Sequence, residues 1–208
     1  MSVINLLNER LQNKWSFDTT MKIQDEMIPA MLEGKDIVAE SPTGSGKTLA
    51  FMLPILNKVD GSKKKTQALV VAPSQELAMQ IVEVIRQWTE GTDITVQQLI
   101  GGANSARQIE KLKKKPTIVV GTPGRLNELA RQGKLKLREI ETVVLDECDQ
   151  LLSREYRVVV KSFIEDAAFG RQVVVVSATI TEEIKLVAER LMVEPVAIQI
   201  KPEDMVKF

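Results

Sequence analysis

The 208-residue chain contains no histidine and a single cysteine, Cys148. These absences remove whole chemistries: no disulfide within the chain, no Cys/His zinc site, no Ser-His-Asp triad and no Cys-His dyad. Carboxylates, lysines and hydroxyls are left to carry any reaction. A lone thiol also fits a reducing compartment, where cysteines need not pair. Net charge is missing too, because 28 Lys and Arg balance 28 Asp and Glu. No bulk positive charge draws in nucleic acid, so any such contact has to be local. Apolar runs stop at about five residues, as at 68–72, far short of the roughly 18 needed to span a bilayer. The N-terminus shows no basic stretch leading into an apolar core and a small-residue cleavage site. No membrane span or secretory signal is therefore expected, and the expected location is the cytoplasm.

The remaining composition, 44% apolar and 27% charged, excludes a disordered or collagen-like chain, and the length suits one large domain over 1–208. Seven short β-branched runs, at 37–40, 67–72, 94–100, 117–120, 142–145, 172–176 and 196–200, alternate with segments of helical period. Several are apolar at every position, as in Val173 to Val176, which suits parallel strands covered on both faces. Between them, 76–88 sets Leu77, Ile81, Val84, Ile85 and Trp88 on one helical face, and 182–192 does the same with Ile184, Val187, Ala188 and Leu191. The pattern predicts a doubly wound α/β domain, with a mostly parallel sheet of about seven strands and helices on both faces. One or two helices around 2–12 and 22–33 precede it, and 201–208 read as a polar tail. Gly, Pro, hydroxyl and acidic clusters follow six of the strands, at 42–48, 73–78, 101–102, 121–125, 146–149 and 177–179. Open parallel sheets bind ligands beyond the carboxyl ends of their strands, so the six clusters predict one composite site.

The first cluster is Ser41-Pro42-Thr43-Gly44-Ser45-Gly46-Lys47-Thr48, which follows a strand and opens a helix. Glycines there let backbone N–H groups turn toward phosphate oxygens, and a helix N-terminus adds a favourable dipole. Lys47 is expected to reach the β- and γ-phosphates and Thr48 to ligate Mg²⁺; Ser41 stands where the strict GxxxxGK[ST] pattern has glycine. The second cluster follows the apolar run 143–145 with Asp146 and Glu147. Asp146 is expected to hold Mg²⁺ through water, and Glu147 to position the water attacking the γ-phosphate. Together they predict a nucleoside triphosphatase.

The ordered motifs identify which kind. The chain resembles the first RecA-like domain of the DEAD-box RNA helicases over nearly its whole length. Residues 41–48 match motif I, Pro73-Ser74-Gln75-Glu76-Leu77-Ala78 motif Ia, Gly101-Gly102 the GG element, Thr122-Pro123-Gly124-Arg125 motif Ib, Asp146-Glu147-Cys148-Asp149 motif II and Ser177-Ala178-Thr179 motif III. Phe17, seven positions before Gln24, looks like the start of the Q motif, within a segment at about 15–33. The resemblance implies a RecA-like P-loop NTPase fold, with ATP and Mg²⁺ bound. Gln24 would read the adenine edge, for which an amide offers both a donor and an acceptor, with Phe17 packed near the base. It implies RNA held along its sugar-phosphate backbone by Pro73, Gln75, Gly101, Gly102, Thr122, Pro123, Gly124 and Arg125, largely without sequence preference. Selection of RNA over DNA would come from 2′-hydroxyl contacts. Ser177 and Thr179 would hydrogen-bond toward motif II and couple the nucleotide to the RNA face. The lysine clusters at 63–65 and 111–115 read as solvated faces.

The chain departs from the family pattern at Cys148, where the family has alanine, at Gln75, where it has arginine, and at Thr20-Met21, where it has Pro-Thr or Pro-Ser. Cys148 is expected beside the Mg²⁺ site, so that thiol alkylation weakens nucleotide binding. The resemblance also implies a second RecA-like domain, outside this chain, that carries the arginine fingers. Such a residue contributes roughly 10³–10⁵ in rate, about 4–7 kcal/mol, so this chain alone is expected to be a nearly inactive monomer. Two other readings stand beside this one: an RNA-binding or docking module without significant ATPase, and a P-loop ATPase acting on DNA or protein.

Overall fold

The computed structural model describes residues 1–102 and 104–205. Seven strands, β1 (Ile37–Glu40), β2 (Ala68–Val71), β3 (Val96–Leu99), β4 (Ile118–Gly121), β5 (Thr142–Asp146), β6 (Gln172–Ser177) and β7 (Val196–Gln199), form one sheet in the order β3-β4-β2-β5-β6-β1-β7. Every pairing is parallel, where the sequence predicts a mostly parallel sheet. Nine helices surround it among the described residues: α1 (Glu9–Lys14), α2 (Lys22–Leu32), α3 (Lys47–Lys58), α4 (Gln75–Thr89), α5 (Ser105–Leu112), α6 (Pro123–Arg131), α7 (Cys148–Leu151), α8 (Arg157–Glu165) and α9 (Glu182–Glu189).

Parity within the strands explains why their sequences are apolar throughout. Ile37, Ala39, Val70, Val144, Val174 and Val176 pack with α2, α3 and α4 on one face. Val38, Leu69, Val71, Val143, Leu145, Val173 and Val175 pack with α6, α7 and α8 on the other. A central strand with both faces covered has no polar side to display. Each fully buried Val, Leu or Ile contributes roughly 1.5–3 kcal/mol relative to exposure. Asp36 registers the sheet at its amino edge: Oδ1 accepts the Val173 N–H (2.8 Å) and Oδ2 the Val193 N–H (2.7 Å).

Two terminal expectations change. The predicted helix at 2–12 divides into a 3-10 turn, Val3–Leu6, and α1, because Asn8 caps α1 by accepting the Leu11 N–H at 3.0 Å. The expected tail contains a 3-10 turn, Pro202–Met205, whose Met205 packs on the core while Asp204 pairs with Lys22 at 3.3 Å; 206–208 lie outside the described residues. With all strands parallel, their carboxyl ends share one rim. β6 lies between β1 and β5, so the chain segments leaving these three strands are neighbours.

Candidate active site

After β1 the chain turns through Gly44 (φ 79°) and Gly46 (φ 81°), left-handed positions that glycine adopts without a Cβ clash. Three bonds pin this loop. The Ser41 N–H donates to the Ser177 carbonyl at 2.9 Å, the buried Ser41 hydroxyl donates to the Ser45 hydroxyl at 2.6 Å, and Gln24 Nε2 donates to the Gly46 carbonyl at 3.2 Å. Ser41 therefore has a structural use where the strict pattern has glycine. Gly46 caps α3 without a side-chain bond to the first turn, which leaves N–H groups at that helix end free for an anion. Thr43 and Gly44 are exposed at the loop tip, and Pro42 is half-buried.

Gln24 is 3% exposed, and its Oε1 accepts the Met21 N–H at 2.9 Å. Both ends of the amide expected to read adenine are thus engaged in bracing the phosphate loop, with one N–H and one lone pair left over. Phe17 is exposed, stacked edge-on against Trp15 at 5.0 Å. Thr20, in the departure from the family pattern, donates its hydroxyl to Asp25.

Across the rim, Lys47 Nζ lies 3.3 Å from Asp146 Oδ1. Asp146 is fully buried; Oδ1 also accepts the Glu147 N–H at 2.9 Å, while Oδ2 has no partner among the described residues. Burial pushes the Asp146 carboxyl above its ordinary value, and the Lys47 ammonium pulls it partly back. Mg²⁺ retains several waters and takes one or two carboxylates together with substrate phosphates. An unsatisfied Asp146 oxygen, Thr48 in the first turn of α3 and a phosphate loop fit that donor set. No group of three metal-binding side chains occurs among the described residues, and a cation that brings waters and phosphates needs none. Glu147 holds a left-handed backbone, φ 53° and ψ 54°, and accepts Gln150 Nε2 at 3.0 Å. That conformation costs a non-glycine residue roughly 1–2 kcal/mol, the kind of strain that collects at functional sites.

Cys148 corrects an expectation. The turn at Glu147 directs its side chain into the core, where it is 0% exposed, and burial followed by the Asp149 and Asp146 charges pushes the thiol up to about 12. The native protein should release almost no thionitrobenzoate from Ellman's reagent, and close to one equivalent after denaturation. Prompt labelling of the native chain would contradict this placement.

Asp149 joins motif III to motif II, accepting the Ser177 hydroxyl at 2.7 Å and the Thr179 hydroxyl at 3.4 Å. Exposed Gln75 donates from Nε2 to the Gly101 carbonyl at 2.7 Å, so this departure from arginine still ties motif Ia to the GG element. Pro73 and Thr122 are half-buried, Pro123 is buried at the start of α6, and Gly102 (φ 78°) and Gly124 are exposed. Arg125 is anchored within the domain: its side chain is 11% exposed, and its guanidinium donates to Gln108 Oε1 at 2.9 Å and pairs with Glu128 at 3.2 Å. Two of the three guanidinium nitrogens, Nε and Nη1, are thus engaged within the domain. Gln108, which also donates to the Ile100 carbonyl at 3.1 Å, is a residue that sequence reasoning missed. In the sequence it is one more polar position on a helix.

A family model described as DEAD/DEAH box helicase matches residues 21–187. Among curated proteins, the chain is 43% identical over 194 residues to Probable ATP-dependent RNA helicase YfmL of Bacillus subtilis, covering 92% of this chain and 52% of that protein. It is 45% identical over 193 residues to DEAD-box ATP-dependent RNA helicase CshC of Bacillus cereus, covering 91% and 50%. The chain thus spans about half the length of these relatives. A crystal structure of a DEAD box protein from the hyperthermophile Methanococcus jannaschii superposes with a TM-score of 0.86 at 30% identity, covering 94% of this chain and 54% of that one.

Proposed function

The chain belongs to the DEAD/DEAH box helicase family, and we propose that it is the ATP-binding first RecA-like domain, 1–208, of an ATP-dependent RNA helicase. In this reading the full protein separates or remodels short RNA duplexes in the cytoplasm as a monomer, by ATP-driven closure against a second RecA-like domain. The observation that carries it is half-buried Lys47 paired with buried Asp146, one of whose carboxylate oxygens has no partner among the described residues, beside a loop built around two left-handed glycines.

The residues divide the work by position. The loop N–H groups of 41–48 and the Lys47 ammonium bind the nucleotide phosphates, and Thr48 and Asp146 hold Mg²⁺. That ion supplies charge neutralisation at the β- and γ-phosphates. Glu147, on a strained backbone directly after β5, orients the attacking water. Gln24 keeps the phosphate loop closed with one amide hydrogen and presents what remains of the amide to adenine, with Phe17 beside the base. Pro73, Gln75, Gly101, Gly102, Thr122, Pro123 and Gly124 line the RNA backbone track. Arg125, held in place by Gln108 and Glu128, adds its charge to that track.

Equilibrium binding of fluorescent ADP and GDP with Mg²⁺ tests this. The wild-type chain should prefer ADP, and Gln24→Ala should lose both the preference and part of the affinity. Equal affinity for ADP and GDP in the wild type would remove the base-reading role. The alternatives are separated in the full-length protein, where stimulation of ATP hydrolysis by DNA rather than RNA, or no nucleotide binding at all, would replace this reading. Coupling has its own test in that protein. Ser177→Ala should leave ADP affinity within about twofold and reduce RNA strand separation by about tenfold or more, because it deletes the 2.7 Å bond to Asp149 and nothing that faces the phosphates. Unimpaired strand separation would end the coupling role.

A further inference from the structure

Far from the phosphate loop in sheet order, β3 is an edge strand that pairs only with β4 among the described residues. The Thr95 and Leu99 carbonyls accept Ile118 and Thr122 N–H groups. In a parallel ladder alternate residues face alternate sides, so Val96 and Gln98 turn their N–H and C=O groups away from β4, onto the open edge. Along that edge runs a cleft of about 470 Å³. Arg86 of α4 stands on one wall, and Arg107 and Lys111 of α5 with Lys114 just beyond it stand on the other. All four are exposed and none forms an ion pair among the described residues. Among the described residues no carboxylate lines the cleft. Its buried Gln97 donates to the Gln108 carbonyl at 2.9 Å, while Gln97 Oε1 has no partner among the described residues.

Sheet edges in monomers are ordinarily blunted by charge, and cations alone would serve that end. Here they stand on both walls of a cleft that reaches the backbone edge itself. We infer that this cleft is a docking site for an extended acidic peptide segment of a partner protein, which adds a strand to β3. Unpaired backbone donors and acceptors alternating along one line match a peptide main chain, which pairs with both; a phosphate backbone offers acceptors only. The walls specify the side chains. An added strand alternates its residues between the α5 side, with three cations, and the α4 side, with Arg86 beside half-buried Val96. Acidic residues at every second position, with β-branched residues between them, satisfy both walls.

The probe is a fluorescein-labelled Glu-Val-Glu-Val-Glu-Val peptide, followed by anisotropy at low salt against the 208-residue chain. Saturable binding is expected, weakened by about tenfold or more in Arg107→Glu/Lys111→Glu. The same peptide N-methylated at alternate amides keeps its charge but cannot pair along one edge, and in one of the two registers it should lose a similar factor. Absence of binding, or equal binding of both N-methylated forms, overturns the proposal. Displacement of the peptide by a hexauridylate that binds more tightly, with the same sensitivity to the charge reversals, overturns it in favour of a nucleic-acid site. Circular dichroism of the variant distinguishes a lost site from a lost fold, and the N-methylated probes leave the protein untouched.

Discussion

Lys47→Ala should weaken Mg²⁺-ADP binding by about 100-fold or more, equivalent to roughly 2.7 kcal/mol, and should change how stability depends on pH. The first effect follows from losing a charged donor to phosphate at a partly desolvated site. The second follows from Asp146, whose carboxyl is fully buried and finds its counter-charge 3.3 Å away on Lys47. Its folded value already lies above the unfolded one because burial outweighs the lysine. The native state therefore holds that proton to higher pH than the unfolded state, and stability declines as pH rises from the ordinary carboxylate value through the elevated folded one. Removing Lys47 removes the cationic attraction that offsets burial at Asp146 and should steepen the decline. Asp146→Asn should flatten it and raise the melting temperature of the nucleotide-free chain near pH 7, by about 2–4 °C per kcal/mol gained, while weakening Mg²⁺-dependent binding. Thermal unfolding from pH 4 to 8 measures all three proteins. Identical pH profiles for wild type and Asp146→Asn would show that the carboxylate is not the source.

Gly46→Ala should be as damaging by a different route. A Cβ at this position would lie 2.6 Å from Gln24 Nε2 and 2.9 Å from Met21 Sδ, on a backbone with φ 81°. The left-handed strain costs roughly 1–2 kcal/mol, and relieving the contact pushes the Gln24 amide off the Gly46 carbonyl. ADP affinity should fall by about 100-fold, and the preference for ADP over GDP should vanish with it. Gly34→Ala is the control, since Gly34 shares the left-handed backbone (φ 81°) but has nothing within 4 Å of the added carbon. Its cost should appear in stability alone. If Gly46→Ala binds ADP as the wild type does, the loop does not depend on the bond from Gln24.

The sheet was legible because burial on both faces leaves an uninterrupted apolar signature, as at Val173 to Val176. The rim was legible because phosphate loops and strand-end carboxylates demand particular residue types. Where the sequence fell short, the deciding contacts join residues distant along the chain. Arg125 reads as a free charge until Gln108 is seen 17 positions earlier, holding it at 2.9 Å. Cys148 reads as an accessible neighbour of Asp146; it does lie within reach of the Asp146 and Lys47 charges, yet it is buried in the core after the left-handed turn at Glu147. Gln24 carries a polar side chain whose binding in the fold spans 22 residues. The edge of β3 has no sequence signature at all, since being outermost is a property of strand order.

Ser177 holds the nucleotide loop with its carbonyl and motif II with its hydroxyl. The first bond belongs to the main chain and persists whatever residue stands there; the second rests on one oxygen atom. The fold thus gives evolution an inexpensive way to separate gripping from signalling. On the proposed reading, loss of that oxygen would leave a nucleotide-holding clamp without strand separation, with the binding site left standing.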